Sequence, residues 1–294
     1  MTTPPTESAA SRPVLLVADD GARDAAGAAA LRDFVDALGR HSPELPVAGG
    51  HLAQLPDAAL APAVAELLAG GGPARLTAVP LTLAPAAHAE RAVSSALERA
   101  RERQPAVSYA YGLPLGGHPV LLDALERRVE DALGTGARTP GDRGGVTVLL
   151  VGRGSADPEA NAEVHRVARL LWEGRGYAGV EAAFVSPAAP DVPSGLDRCA
   201  RLGARRIVVL PYFLLDGAVP ERLRAQAEGW AEAHPEVEVR TAAVVGPDPA
   251  LLDLVVRRHR EAVAVGPVPT ADEGRQTPPA RHAPQDRHEH AHAH

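Results

Sequence analysis

Two rhythms of hydrophobic and polar positions alternate along the chain. Short uninterrupted apolar runs are followed by longer stretches with apolar residues three and four apart. Val14-Leu15-Leu16-Val17-Ala18 has the pattern of a strand buried on both faces, and Ala25 to Leu38 the period of a helix. Leu45 to Gly49 predicts a weaker second strand, and Asp57 opens a helix that stops at Gly70-Gly71-Gly72. Leu76 to Leu83 is the next buried strand, His88 to Arg103 a helix, Val107 to Tyr111 a strand and His118 to Leu133 a helix. The rhythm then restarts. Strands are predicted at Val146–Val151, Val180–Val185, Arg206–Leu214 and Val237–Ala243, with helices after Pro158, from Asp191, from Pro220 and from Asp248. Strands alternating with helices at this spacing are βαβ units, so the fold class is α/β with parallel sheets flanked by helices.

The two halves are related in sequence as well as in layout. Gly72-Pro73-Ala74-Arg75 lies over Leu202-Gly203-Ala204-Arg205 and the strands that follow, with a slip of one residue. Gln104-Pro105-Ala106-Val107 matches His234-Pro235-Glu236-Val237, and His118-Pro119-Val120-Leu121-Leu122-Asp123 matches Asp248-Pro249-Ala250-Leu251-Leu252-Asp253, both at a spacing of 130 residues. A tandem duplication of one βα lobe explains a constant offset over separate segments. The expected organisation is a disordered N-terminus (1–12), a first lobe (13–133), a linker (134–145), a second lobe (146–264) and a disordered tail (265–294).

Composition narrows the function. All thirty basic residues are arginine, and the net charge of −7 leaves no basic excess to neutralise phosphates, so nucleic acid is not expected as a partner. The single cysteine, Cys199, falls in a helical pattern and reads as a buried thiol in a reducing compartment. No apolar run is long enough to span a membrane, and a cytoplasmic protein is expected. The tail ends His288-Glu289-His290-Ala291-His292-Ala293-His294, with His282 upstream. Clustered imidazoles in a flexible tract bind divalent transition metals loosely; a low-complexity end or an expression tag is the other reading.

Candidate chemistry gathers where strands end, the place where open α/β sheets bind ligands. After Pro80-Leu81-Thr82-Leu83 the chain breaks at Pro85 and delivers His88 at the start of a helix. His88 is placed there for chemistry, or is a solvated helix-start histidine. The first strand ends in Asp19-Asp20-Gly21-Ala22-Arg23-Asp24. Gly152-Arg153-Gly154-Ser155 lacks the lysine and the spacing of a phosphate loop.

These residues resemble the class II tetrapyrrole chelatases, the sirohydrochlorin cobalto- and ferrochelatase group, in their long two-lobe form. The family's Gly-His-Gly-Ser/Thr-Arg-Asp motif corresponds to Asp19-Asp20-Gly21-Ala22-Arg23-Asp24, and its Pro-Leu-x-Leu run leading to Gly-His corresponds to Pro80–Leu83 and Ala87-His88. Tyr111-Gly112-Leu113-Pro114-Leu115-Gly116-Gly117-His118-Pro119 and Leu150-Val151-Gly152-Arg153-Gly154-Ser155-Ala156-Asp157-Pro158 also fit.

The resemblance implies insertion of Co²⁺ or Fe²⁺, as substrate metal, into sirohydrochlorin with no organic cofactor. His88 and Asp20 would be the metal-binding and catalytic residues, and Arg23 and His118 would contact the tetrapyrrole. A neutral imidazole suits the task, since it both holds a borderline ion and accepts a pyrrole proton near working pH. Arginines can clamp the substrate's carboxylates.

Asp20 departs from the family by standing where it has its first histidine. A carboxylate can ligate these ions, but its reference pKa lies roughly 2.6 units below that of histidine, about 3.5 kcal/mol less proton affinity. Asp20 is therefore read either as a ligand, with His88 as base, or as a helix cap. Arg23 is a carboxylate clamp or an ion-pair partner of Asp24, and His118 a structural cap neighbour or a ligand contact. In the second lobe Arg153 and Val219 occupy the places of Asp20 and His88. An alternative function is a weakened homologue that binds metal or tetrapyrrole as a carrier or regulatory protein.

Overall fold

A computed structural model describes residues 13–19, 24–51, 75–83, 102, 108–134 and 140–267. Asp20, Arg23 and His88 lie outside these residues. So do the helices expected from Asp57 and from His88, the N-terminal 1–12 and most of the His-rich tail.

Among the described residues eight parallel strands form two four-stranded sheets. The first contains β1 (Val14–Asp19), β2 (Val47–His51), β3 (Arg75–Pro80) and β4 (Ser108–Tyr111), in the order β2-β1-β3-β4. The second contains β5 (Thr147–Gly152), β6 (Gly179–Phe184), β7 (Arg206–Pro211) and β8 (Glu238–Thr241), in the order β6-β5-β7-β8. The helices are α1 (Ala25–His41), α2 (Pro119–Leu133), the short α3 (Pro140–Arg143), α4 (Pro158–Trp172), α5 (Val192–Arg201), α6 (Ala218–Ala233) and α7 (Pro249–Val265). The expected α/β architecture of two repeated parallel sheets is the one observed.

The sheet interiors explain the apolar runs. All six residues of β5 are buried, and five of six in β3 and β7. Strands covered on both faces need no polar alternation. Both β3 and β7 are shorter than the apolar runs that contain them. Pro80 and Pro211 are their last ladder residues. Leu81, Thr82 and Leu83 remain buried beyond the ladder. Helix starts are equally chemical: Asp24, His118, Asp157, Asp191 and Asp248 each accept a backbone N–H from the first turn of their own helix. In α2, α4, α5 and α7 a proline in the first turn adds a preset φ.

The closing helix of each half crosses to the other sheet. α2 packs on β7 and β8, and α7 packs on β3 and β4. One apolar cluster therefore runs through both halves, joining Leu15, Val17 and Val79 to Leu121, Leu125, Val208, Leu210, Leu251 and Val255. The opposite face of the second sheet (Leu149, Val151, Ile207, Val209) is covered by its own α5 and α6, with Cys199 and Trp230 in that core. Burial pushes the Cys199 thiol up to about 12, so it stays a neutral thiol rather than a reactive thiolate.

Polar ties fasten the exchanged helices. Arg128 donates to the carbonyl of Val245 through Nη2 at 2.6 Å, and Arg127 pairs with Asp248 at 2.8 Å. Arg240 donates to the last carbonyls of α2, Ala132 at 3.1 Å and Leu133 at 3.0 Å. His41, ending α1, meets Asp253 of α7 at 2.7 Å. No helix among the described residues is long and apolar enough to cross a membrane.

Candidate functional site

In each sheet the chain leaves the first strand toward one side and later crosses to the other. The reversal falls between β1 and β3, and again between β5 and β7. Outside the carboxyl ends of such a strand pair lies the crevice where α/β proteins bind ligands. Val17 pairs with Val79 and Ala18 with Pro80, so β1 and β3 end side by side. Asp20 follows β1 directly and His88 lies eight residues beyond the end of β3. The described ends of both segments are held in place.

Asp24 closes the segment that carries Asp20 and Arg23. Its Oδ1 accepts the Gly27 N–H at 2.8 Å and caps α1, while Oδ2 accepts the Ala218 N–H of the second half at 3.0 Å. These donors, Gly27 first and then Ala218, hold the carboxyl below the usual aspartate value. On the other segment, the buried Tyr212 hydroxyl donates to the carbonyl of Leu83 at 2.8 Å. Burial pushes Tyr212 far above the ordinary tyrosine range, so it is a permanent neutral donor. The Leu115 N–H also donates to the carbonyl of Thr82, at 3.2 Å.

His118 sits on the loop after β4, half-buried, and caps α2. Its Nδ1 accepts the Val120 N–H at 3.2 Å, which requires a bare nitrogen there and places the ring proton on Nε2. Burial, and then the nearby Arg258 and Arg257, lower its pKa, with Glu261 opposing. The neutral ring can donate one N–H to a substrate carboxylate, whereas in this tautomer neither nitrogen has a free lone pair for a metal. Gly117 beside it lies against Arg166 of α4. Its φ of +68° lies in the left-handed region that favours glycine.

The corresponding crevice of the second sheet is built from different chemistry. Arg153 is exposed and Val219 is half-buried. Gly154 has φ +88°, and a Cβ on it would come within 2.7 Å of the Ser186 carbonyl oxygen. Asn161 braces the turn, accepting the Ser155 N–H at 2.9 Å and donating to the Ser155 carbonyl at 2.8 Å. Among the described residues no cluster of histidine, cysteine and carboxylates forms a metal site.

Sequence reasoning passed over Tyr212 and the second bond of Asp24. Two signals were present. Tyr212 directly follows a buried strand in a chain with only 3% aromatic residues, and α6 follows Gly217 where the other described long helices follow a capping side chain.

A two-sheet α/β protein with a strand-order reversal in each sheet is the class that this geometry defines. The CbiX family model matches residues 14–132 and again 147–262, and the chain belongs to that family. It is 34% identical over 185 residues to the sirohydrochlorin cobaltochelatase of Priestia megaterium, covering 63% of this chain and 60% of that protein. It is 32% identical over 158 residues to the sirohydrochlorin ferrochelatase of the same organism, covering 53% of this chain and 57% of that protein. The match thus spans about three fifths of the length of those relatives. Among solved structures, SirB from Bacillus subtilis with Fe³⁺ superposes with a TM-score of 0.68 at 23% identity, over 86% of this chain and 96% of that one, a likeness of fold.

Proposed function

We propose that the protein inserts a divalent metal ion, Co²⁺ or Fe²⁺, into sirohydrochlorin. The observation that carries this reading is the repeated family match together with its candidate residues. In the sequence Asp20 directly follows β1 and His88 lies eight residues after β3, the two strands that meet at the first sheet's reversal. The metal is a substrate here, delivered into the macrocycle as two pyrrole protons leave. In this reading His88 binds the incoming ion and accepts a proton, because a neutral imidazole has its pKa near 6.5. Asp20 supplies an oxygen ligand, a weaker base but an adequate partner for either ion. Arg23 and the Nε2–H of His118 orient the substrate carboxylates.

The experiment is anaerobic metal insertion followed by absorbance, with each metal in turn and the His-rich tail removed. His88→Ala is expected to abolish activity, Asp20→Ala to lower it strongly, and Asp20→His to preserve or raise it. Wild-type rates in tail-deleted His88→Ala would sink the site assignment.

The exchange of the family's first histidine for Asp20 favours a second reading, a carrier or regulatory homologue that binds metal or tetrapyrrole with little turnover. Tight binding with insertion no faster than the uncatalysed reaction would select it.

A further inference from the structure

Helix α6 differs from its neighbours. Among the described helices of eight or more residues, it is the one whose N-cap, Gly217, offers no side chain to the first-turn donors. Exposed first-turn N–H groups need an acceptor from somewhere. The Ala218 N–H finds it in Asp24, 194 residues earlier and in the other half of the molecule. Asp24 thereby caps two helices at once, its own with Oδ1 and α6 with Oδ2. Its counterpart Asp157 caps only its own helix among the described residues, through Oδ1 to Glu159 at 3.0 Å.

This shared cap lies at a telling place. Asp24 ends the segment that bears Asp20, and six residues before Ala218 the Tyr212 hydroxyl holds Leu83, on the way to His88. Both segments with candidate ligands are thus moored to one stretch of the second half, Tyr212 to Ala218, which itself leads to Val219 rather than to a ligand.

We propose that Asp24 is a positioning residue whose shared cap, with the Tyr212–Leu83 bond, ties Asp24 and Leu83, the described residues next to the Asp20 and His88 stretches in sequence, to one stretch of the second half. The second half then serves as a frame rather than as a second centre. The functional consequence rests on the chelatase reading; the frame itself rests on the bonds.

Substitution can separate the two tasks of Asp24. Asparagine caps a helix about as well as aspartate, but has one acceptor oxygen, so Asp24→Asn can cap α1 or bind Ala218 and not both. Ala218→Pro removes the same bond from the other side, at a first helical position where proline is tolerated. Asp157→Asn is the internal control.

In the full-length protein, Co²⁺ insertion into sirohydrochlorin is expected to lose about tenfold in kcat in Asp24→Asn, with KM within about twofold. Ala218→Pro should match it, and the double variant should be no worse than either single, because both remove one bond. Asp157→Asn should stay within about twofold of wild type, and Tyr212→Phe should lose about threefold. Equal losses in Asp24→Asn and Asp157→Asn would overturn the proposal, as would additive losses in the double variant. A wild-type protein that inserts no metal refutes the chelatase reading alone. The same ordering is then expected in Co²⁺ affinity measured by calorimetry, and additivity there overturns the frame.

Discussion

His259 lies on α7 where that helix covers the first sheet, buried and with no hydrogen-bond partner for Nδ1 among the described residues. Burial, and then the charge of Arg260, lower its pKa, and His118 is shifted the same way. A histidine held neutral in the fold but free to charge when unfolded stabilises fully above its unfolded pKa near 6.5, and that stability is lost as pH falls below it. Urea unfolding at pH 7.5 and 5.5 should therefore show a drop at the lower pH. The drop should shrink in His259→Leu, by at most about 1.4 kcal/mol for each pH unit that one proton governs. An unchanged drop would show that His259 is protonated in the fold. At this scale the sequence was partly legible. His88 stood out because its residue type and position match a motif, and Asp20 because it stands where that motif has a histidine. The shared cap of Asp24 did not, because its acceptor role toward Ala218 depends on a fold that brings distant segments together.

The elements themselves were readable wherever burial is two-sided, as in β5 and β7, where apolar runs name the strand directly. Their ends were less so. The runs continue past Pro80 and Pro211 because burial persists after pairing stops, and hydrophobicity reports burial rather than hydrogen bonding. One element's attachment gives a prediction of its own. Glu126 of α2 binds two arginines, Arg143 at 2.6 Å and Arg175 at 3.0 Å, both mostly buried. Glu130 takes Arg143 alone and is more exposed. Removing Glu126 takes one carboxylate from each arginine at once, leaving Arg143 with Glu130 and Arg175 with Asp123, so Glu126→Ala should cost about 2 kcal/mol of unfolding free energy and Glu130→Ala about 1 or less. Urea midpoints compare them. Equal effects would place the stabilisation outside this network.

For the whole molecule, the exchange of α2 and α7 removes any boundary at which one half could unfold alone. Loss of the first sheet would uncover the apolar face of α7, and loss of the second that of α2, each bearing several fully buried leucines and valines worth about 1.5–3 kcal/mol apiece. Unfolding should be a single transition, with the helical signal and the fluorescence of Trp172 and Trp230 coincident. Two separated transitions would refute the coupling. The duplication was visible in the sequence as a repeated offset, yet the crossing of the closing helices was not, since both sheets ask for the same amphipathic helix and either could satisfy it.

The crossing has a consequence for how such a chain can change over time. Two copies that trade a closing helix have the geometry of a twofold dimer joined by a tether. In a true dimer of identical chains, every substitution strikes both crevices together. A tether breaks that bond of identity, so one copy of the sequence can drift to Arg153 and Val219 while its twin keeps a histidine at the matching position, with structural support still flowing both ways.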